Sequence, residues 1–244
     1  MSLPYELRPQ IGSAGRAGLI VLRSDETIEA EMRGALGDMG AADVAVFSSR
    51  IPSSTEVSTE SLAQMEGEIE RSAALLPETI DFDVVGYACT SASSVIGSER
   101  VAALVGAGCK SGAVTDPLAA LTAACAHQGI TRLALVSPYA PEVSESLRGA
   151  LERSGIATPV FGTFNEPVET HVARIDTGSL RDAAQALGAD PRAEAVFLSC
   201  TNLRTRGALD EMSQALGKPV WSSNHVLFWD MFRRLQAGAA RYAL

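Results

Sequence analysis

No apolar run of this chain is long enough to span a bilayer as a helix. Crossing one takes roughly 18 or more consecutive apolar residues, and every apolar run here is far shorter. The opening residues, Met1-Ser2-Leu3-Pro4-Tyr5-Glu6, lack the basic and apolar regions of a signal peptide. The expectation is a cytoplasmic protein with no membrane partner. Histidine is scarce: His127, His171 and His225 have no ligand spacing around them, so no metal site is expected. Cys89, Cys109, Cys125 and Cys200 form no CxxC pair, which argues against a zinc knuckle or a disulfide framework and leaves reduced thiols. Gly106, Gly108 and Gly112 do not spell GxGxxG, so a dinucleotide cofactor is unsupported. Positive charge is in deficit, with 20 Lys and Arg against 29 Asp and Glu and a net charge of −9. Nucleic acid and anionic membranes reward basic surfaces, so neither is an expected partner. A small anionic substrate stays open, because nearby N–H groups outweigh a distant global charge.

Against these absences stand 244 residues, 46% of them apolar, enough for one large or two small α/β units. Two stretches organise them. Val84-Val85-Gly86-Tyr87-Ala88 leads into Cys89-Thr90-Ser91-Ala92-Ser93, and Ala195-Val196-Phe197-Leu198-Ser199 leads into Cys200-Thr201-Asn202. Each apolar run is too short for a helix and reads as a buried parallel strand. The polar residues after it read as the turn and N-cap of a helix. Both cysteines are therefore expected at the carboxyl end of a strand and the amino end of a helix, where open α/β sheets place ligand sites. Free helix N–H groups favour an anion, so each thiol is expected to have a lowered pKa. The same N–H groups, with the hydroxyls of Thr90, Ser91 and Thr201, would hold a substrate carboxylate. A lone cysteine at a strand end is usually a small buried hydrophobe, and that reading stands for Cys109 and Cys125. The repeated setting argues for function at Cys89 and Cys200.

The rest of the chain repeats around them. Residues 17–22 read as a strand followed by Arg23-Ser24-Asp25-Glu26-Thr27, and 43–47 as a strand before a polar loop around Arg50-Ile51-Pro52. Leu62, Met65, Ile69, Ala73 and Leu76 share a helical face. A helix is expected over 93–105, a short strand near Val114, and an Ala-rich helix up to Gly129. The second half runs in the same order. A strand over 132–136 ends in Ser137-Pro138-Tyr139, one over 158–162 leads into Thr163-Phe164-Asn165-Glu166-Pro167, and Ser222-Ser223-Asn224-His225 opens the last helix. The predicted fold is α/β, two pseudo-symmetric Rossmann-like lobes with parallel sheets. Residues 1–117 with 222–244 would form one lobe and 118–221 the other, with the cysteines facing each other across the cleft.

The two cysteine motifs resemble those of the aspartate/glutamate racemase superfamily, and the chain looks most like its maleate cis–trans isomerase and arylmalonate decarboxylase branch. The stretches 137–139 and 164–167 are similar to that branch's substrate-binding loops. The pattern also looks like proteins encoded with ectoine-breakdown enzymes. The resemblance implies an active site between the lobes, no cofactor, and Tyr139 and Asn165 as substrate-binding residues. Asp25, Thr90, Ser91, Thr201 and Asn202 complete the candidate binding set. The decarboxylase keeps only the second cysteine, so the pair here favours isomerase or racemase chemistry. The isomerases place an asparagine after the first strand, where this chain has Asp25. An ionised aspartate cannot donate to a carboxylate and suits an ammonium or hydroxyl group better; it could equally be only a helix cap.

Two opposed thiols support two reactions. One thiolate can remove an α-proton while the other thiol delivers one from the far side. Alternatively, Cys89 as thiolate can add to an activated double bond while Cys200 protonates the neighbouring carbon. The expected function is a cofactor-independent isomerase or racemase of a small carboxylate. A decarboxylase-like carbon–carbon lyase using Cys200 as proton donor is the alternative, and a non-catalytic small-molecule binder the second. A homo-oligomer, dimer or larger, is expected.

Overall fold

Strand β1 (Gly15–Leu22) is the spine of the first half. Its Ala17, Leu19, Ile20 and Val21 are fully buried, as a parallel strand with both faces covered requires. It pairs in parallel with β2 (Val44–Ile51) and β3 (Val84–Ala88), and β3 pairs with β4 (Val114–Thr115). The order is β2-β1-β3-β4. The second half repeats it strand for strand. β5 (Arg132–Ser137) lies between β6 (Ala157–Thr163) and β7 (Ala195–Leu198), with β8 (Val220–Ser222) outside β7, in the order β6-β5-β7-β8. This computed structural model describes residues 1–235, 242 and 244. The expected grouping of 222–244 with the first lobe can be followed only through Leu235, because 236–241 and 243 lie outside the described residues.

Helices fill the crossovers. The first half carries α1 (Ile28–Asp38), α2 (Thr59–Gln64), α3 (Glu66–Ala73), α4 (Thr90–Ile96) and α5 (Ser98–Gly108), and α6 (Pro117–Gln128) leads into the second sheet. The second half carries α7 (Pro141–Arg153), α8 (Glu169–Val172), α9 (Thr177–Gly188), α10 (Leu209–Leu216) and α11 (Ser223–Arg234). Three local expectations need correction. The helix expected over 93–105 is two helices, because Gly97 sits between them at φ 94°, a conformation open chiefly to glycine. The face from Leu62 to Leu76 is divided at Met65 and ends beyond α3. β2 runs on through Arg50 to the buried Ile51 instead of stopping at Phe47. Among the described residues, no helix is long and apolar enough to cross a membrane.

Helix α11 joins the halves. Leu227, Phe228, Met231 and Phe232 pack with residues of β1, β3 and α1, while Val226 and Trp229 pack with residues of β5, β7 and α6. Full burial of such side chains stabilises by about 1.5–3 kcal/mol each. The helix thus carries its first residues, Ser223 and Asn224, into the cleft. Glu31 of α1 makes a second tie. Its Oε1 accepts from the backbone N–H groups of Thr205 (2.6 Å) and Arg206 (2.8 Å), and its Oε2 accepts from the Asn224 side-chain amide (2.7 Å). Replacing Glu31 with Ala would leave two backbone donors and an amide without their acceptor. The expected cost is about 2–4 kcal/mol, read as a lower urea midpoint with an unchanged slope. An unchanged midpoint would show that Glu31 does not tie the lobes.

Candidate active site

Cys89 follows β3 and is the N-cap of α4, its Sγ accepting the Ala92 N–H at 3.4 Å. That matches the sequence reading. Cys200 departs from it. α10 does not begin until Leu209, so Cys200 stands in a tight turn with no helix starting behind it. Its φ is 150°, where L side chains are strained. The turn is held by Ser223, whose Oγ accepts the Cys200 N–H at 2.9 Å. Cys200 Sγ in turn accepts the Asn202 N–H at 3.3 Å. Ser223 Oγ also accepts from the Thr90 hydroxyl at 2.7 Å, and the Thr201 hydroxyl donates to the Ala88 carbonyl at 3.3 Å. The two cysteine turns are therefore stitched directly to one another.

Both thiols line a single chamber with Leu22, Asp25, Thr90, Ser91, Tyr139, Glu169 and Thr201. Each cysteine is 5% exposed, and the free space is close to that of a single water molecule. The roof comes from both lobes. Glu56 and Val168 form an antiparallel bridge. The Val57 N–H donates to the Pro167 carbonyl (3.3 Å) and the Glu169 N–H to the Thr55 carbonyl (3.2 Å). A second small hollow beneath this loop is lined by Ser53, Val57 and Leu62 together with Cys89, Tyr139 and Glu169.

Tyr139 stands beside Cys200. Its hydroxyl donates to Glu169 Oε1 at 2.5 Å and lies 3.0 Å from Cys200 Sγ. Glu169 Oε2 accepts from the Asn202 amide at 3.0 Å, and Asn202 Oδ1 accepts the Glu26 N–H across the cleft at 2.8 Å. Asn202 thus braces the site from outside the chamber lining. Asp25 is both cap and site residue. Its Oδ1 accepts the N–H groups of Thr27 (2.8 Å) and Ile28 (2.9 Å), while its buried Oδ2 has no hydrogen-bond partner among the described residues. Thr90 and Thr201 spend their hydroxyl protons inside the protein, whereas the Ser91 hydroxyl makes no hydrogen bond to the described residues. The structure does not bring Asn165 to the chamber. It is exposed at φ 53°, its N–H donating to Thr163 Oγ1 at 2.9 Å. The same loop instead delivers Glu169, 2% exposed. Sequence reasoning missed Glu169, which opens a one-turn helix too short to show a period, and saw Ser223 only as the start of a helix.

The electrostatics reverse the expectation of low-pKa thiols. Burial pushes Cys89 up to about 12; the Ala92 and Ser91 N–H groups oppose this, and the charges of Glu169 and Asp25 add to it. Burial, then Glu169, also holds Cys200 well above the ordinary thiol range, against hydrogen bonds from Tyr139 and Asn202. Loss of water outweighs a few N–H donors. Burial raises Asp25 and Glu169 as well. No Lys, Arg or His among the described residues lines the chamber. Among the described residues, no group of three His, Cys, Asp or Glu could hold a metal ion.

The family model described as arylmalonate decarboxylase matches residues 30–243. The chain belongs to the arylmalonate decarboxylase family. Over 113 residues it is 37% identical to the arylmalonate decarboxylase of Bordetella bronchiseptica, a match covering 46% of this chain and 47%, about half, of that enzyme. It is 26% identical over 232 residues to a maleate isomerase of Nocardia farcinica, covering 92% of each. A solved structure of Nocardia farcinica maleate cis–trans isomerase, a cysteine-to-serine variant with a covalently bound succinylcysteine intermediate, superposes with a TM-score of 0.84 at 25% identity, covering 91% of this chain and 93% of that one.

The neutral, enclosed thiols generate a direct expectation. In the ligand-free protein at about pH 8, iodoacetamide should label the partly exposed Cys109 well before Cys89 or Cys200, because alkylation needs both thiolate and access. Peptide mass spectrometry reads the order. Early labelling of either chamber cysteine would contradict the closed, protonated site.

Proposed function

We propose that this protein is a cofactor-independent isomerase or racemase of a small carboxylate, with Cys89 and Cys200 as its two catalytic groups. The observation that carries the reading is that both thiols line one closed chamber and that their turns are bonded to each other. The relatives named maleate isomerase, and the succinylcysteine captured in one of them, support chemistry at a cysteine.

In isomerisation, Cys89 Sγ as thiolate bonds to one carbon of an activated double bond, and the Cys200 thiol gives its proton to the neighbouring carbon. The former double bond is then single and rotates. Cys200 takes a proton back, the Cys89–carbon bond breaks, and the double bond reforms in the other geometry. In racemisation, one thiolate takes the α-proton and the opposite thiol supplies another. Charge that builds on the carboxylate would meet the Ser91 hydroxyl and the N–H groups around the cysteine turns. The Cys200–Tyr139–Glu169 chain gives Cys200 a route for proton exchange. Burial favours the thiol form of both groups in the free protein, so we expect ionisation to accompany substrate binding. We place this activity in the cytoplasm, in a homo-oligomer, with residues 1–117 plus 222–244 and 118–221 as its lobes.

A decarboxylase-like reading is favoured by one feature, the proton chain ending at Cys200 alone. There Cys200 would protonate the carbon left after loss of carbon dioxide. Paired variants separate the two. For an isomerase or racemase, Cys89→Ser and Cys200→Ser should each reduce turnover on the order of 10²–10⁴-fold while leaving the thermal midpoint nearly unchanged. A Cys89→Ala protein that retains full turnover and loses it only on Cys200→Ala is the decarboxylase outcome.

A further inference from the structure

Among the described residues the chamber lining carries acid and no base. Arg50 lies outside it, its Nη1 donating to the Asp25 backbone carbonyl at 3.0 Å, and its charge favours the Asp25 carboxylate without supplying a donor inside the chamber. Asp25 and Glu169 both line it, and none of the other lining residues carries a positive charge. Asp25 is 4% exposed, and its Oδ2 has no hydrogen-bond partner among the described residues. A buried acceptor left this way is costly unless a ligand supplies the donor. Glu169 receives one donor on each oxygen, from Tyr139 and Asn202, and each oxygen keeps a further lone pair. A second substrate carboxylate would bring like charge against both groups, which binding sites penalise heavily.

We propose that the substrate carries an ammonium group as well as its carboxylate, and that this ammonium sits against Asp25 and Glu169. An ammonium brings three donors and no acceptor, matching what these two side chains leave unfilled. It also offsets the negative charge that opposes ionisation of Cys89 and Cys200, so the substrate helps to ionise the thiol that attacks it. The substrate class is then a short amino monocarboxylate, not a dicarboxylate. The proposal rests on the reading of the cysteines as catalytic only for what happens after binding.

The test uses the intact protein and two sets of probes. One is short amino monocarboxylates with the ammonium on the α, β or γ carbon; the other is maleate and succinate. Binding is read by calorimetry, and exchange of solvent deuterium into carbon positions by NMR. At least one amino monocarboxylate is expected to bind about tenfold or more tighter than either dicarboxylate, and to exchange. Asp25→Asn combined with Glu169→Gln, which keeps a cap on α1, should shift that preference at least tenfold toward the dicarboxylates. Equal or tighter binding of maleate or succinate by the wild type overturns the proposal while leaving the two-thiol reading intact. Absence of binding by every amino monocarboxylate overturns it too. Exchange that persists unchanged in Cys89→Ser and Cys200→Ser would instead sink the catalytic reading and leave the ammonium preference standing.

Discussion

Five groups able to carry negative charge, Cys89, Cys200, Asp25, Glu169 and Tyr139, share one small buried chamber, and no cation among the described residues lines it. Cys89, Cys200, Asp25 and Glu169 cannot all ionise there, because each charge is costly to bury and raises the cost of the next. Everything else about the site follows from how the fold enforces that crowding. The parallel sheets end at the cleft, α11 drives Ser223 between them, and one hydroxyl oxygen accepts from both cysteine turns. Backbone hydrogen bonds among Thr55, Val57, Pro167 and Glu169 then join the two lobes beside the chamber.

This constraint changes what a reactive cysteine means here. A helix start alone would lower a thiol's pKa, but enclosure reverses the sign for Cys89 and Cys200. By thiol reactivity alone, the free protein would resemble a simple binding protein. On the proposed reading, a ligand that alters the charge balance makes the chemistry available, so substrate choice and activation become one event. That coupling would spare the cell a standing thiolate open to oxidation.

Much of the architecture was legible in the residues. The alternation of short apolar runs with helical faces foretold two matching parallel sheets, and the repeated Cys-Thr turns located the cleft. What escaped was set by local exceptions to the repeat. Gly97 breaks a helix that the apolar spacing would have carried through. Cys200 is followed by threonine as Cys89 is, but no helix starts behind it, because the chain runs on through turns to Leu209 before helix resumes. Glu169 lies beyond a proline in a one-turn helix, where periodicity gives no signal, and Asn165 looked like the functional member of that loop only through resemblance. Asp25 was read as either a cap or a ligand group. Its two oxygens differ, Oδ1 accepting the N–H groups of Thr27 and Ile28 at the start of α1 and Oδ2 having no hydrogen-bond partner among the described residues.

Ultraviolet absorbance of thiolate, followed in the ligand-free protein as pH is raised, tests the central claim most directly. Neither Cys89 nor Cys200 should contribute thiolate until well above about pH 9, the range of an ordinary thiol, and the combined Asp25→Asn and Glu169→Gln change should bring their onset down. A thiolate step at or below neutral pH in the wild type, lost when Cys89 or Cys200 is replaced by Ser, would contradict the account.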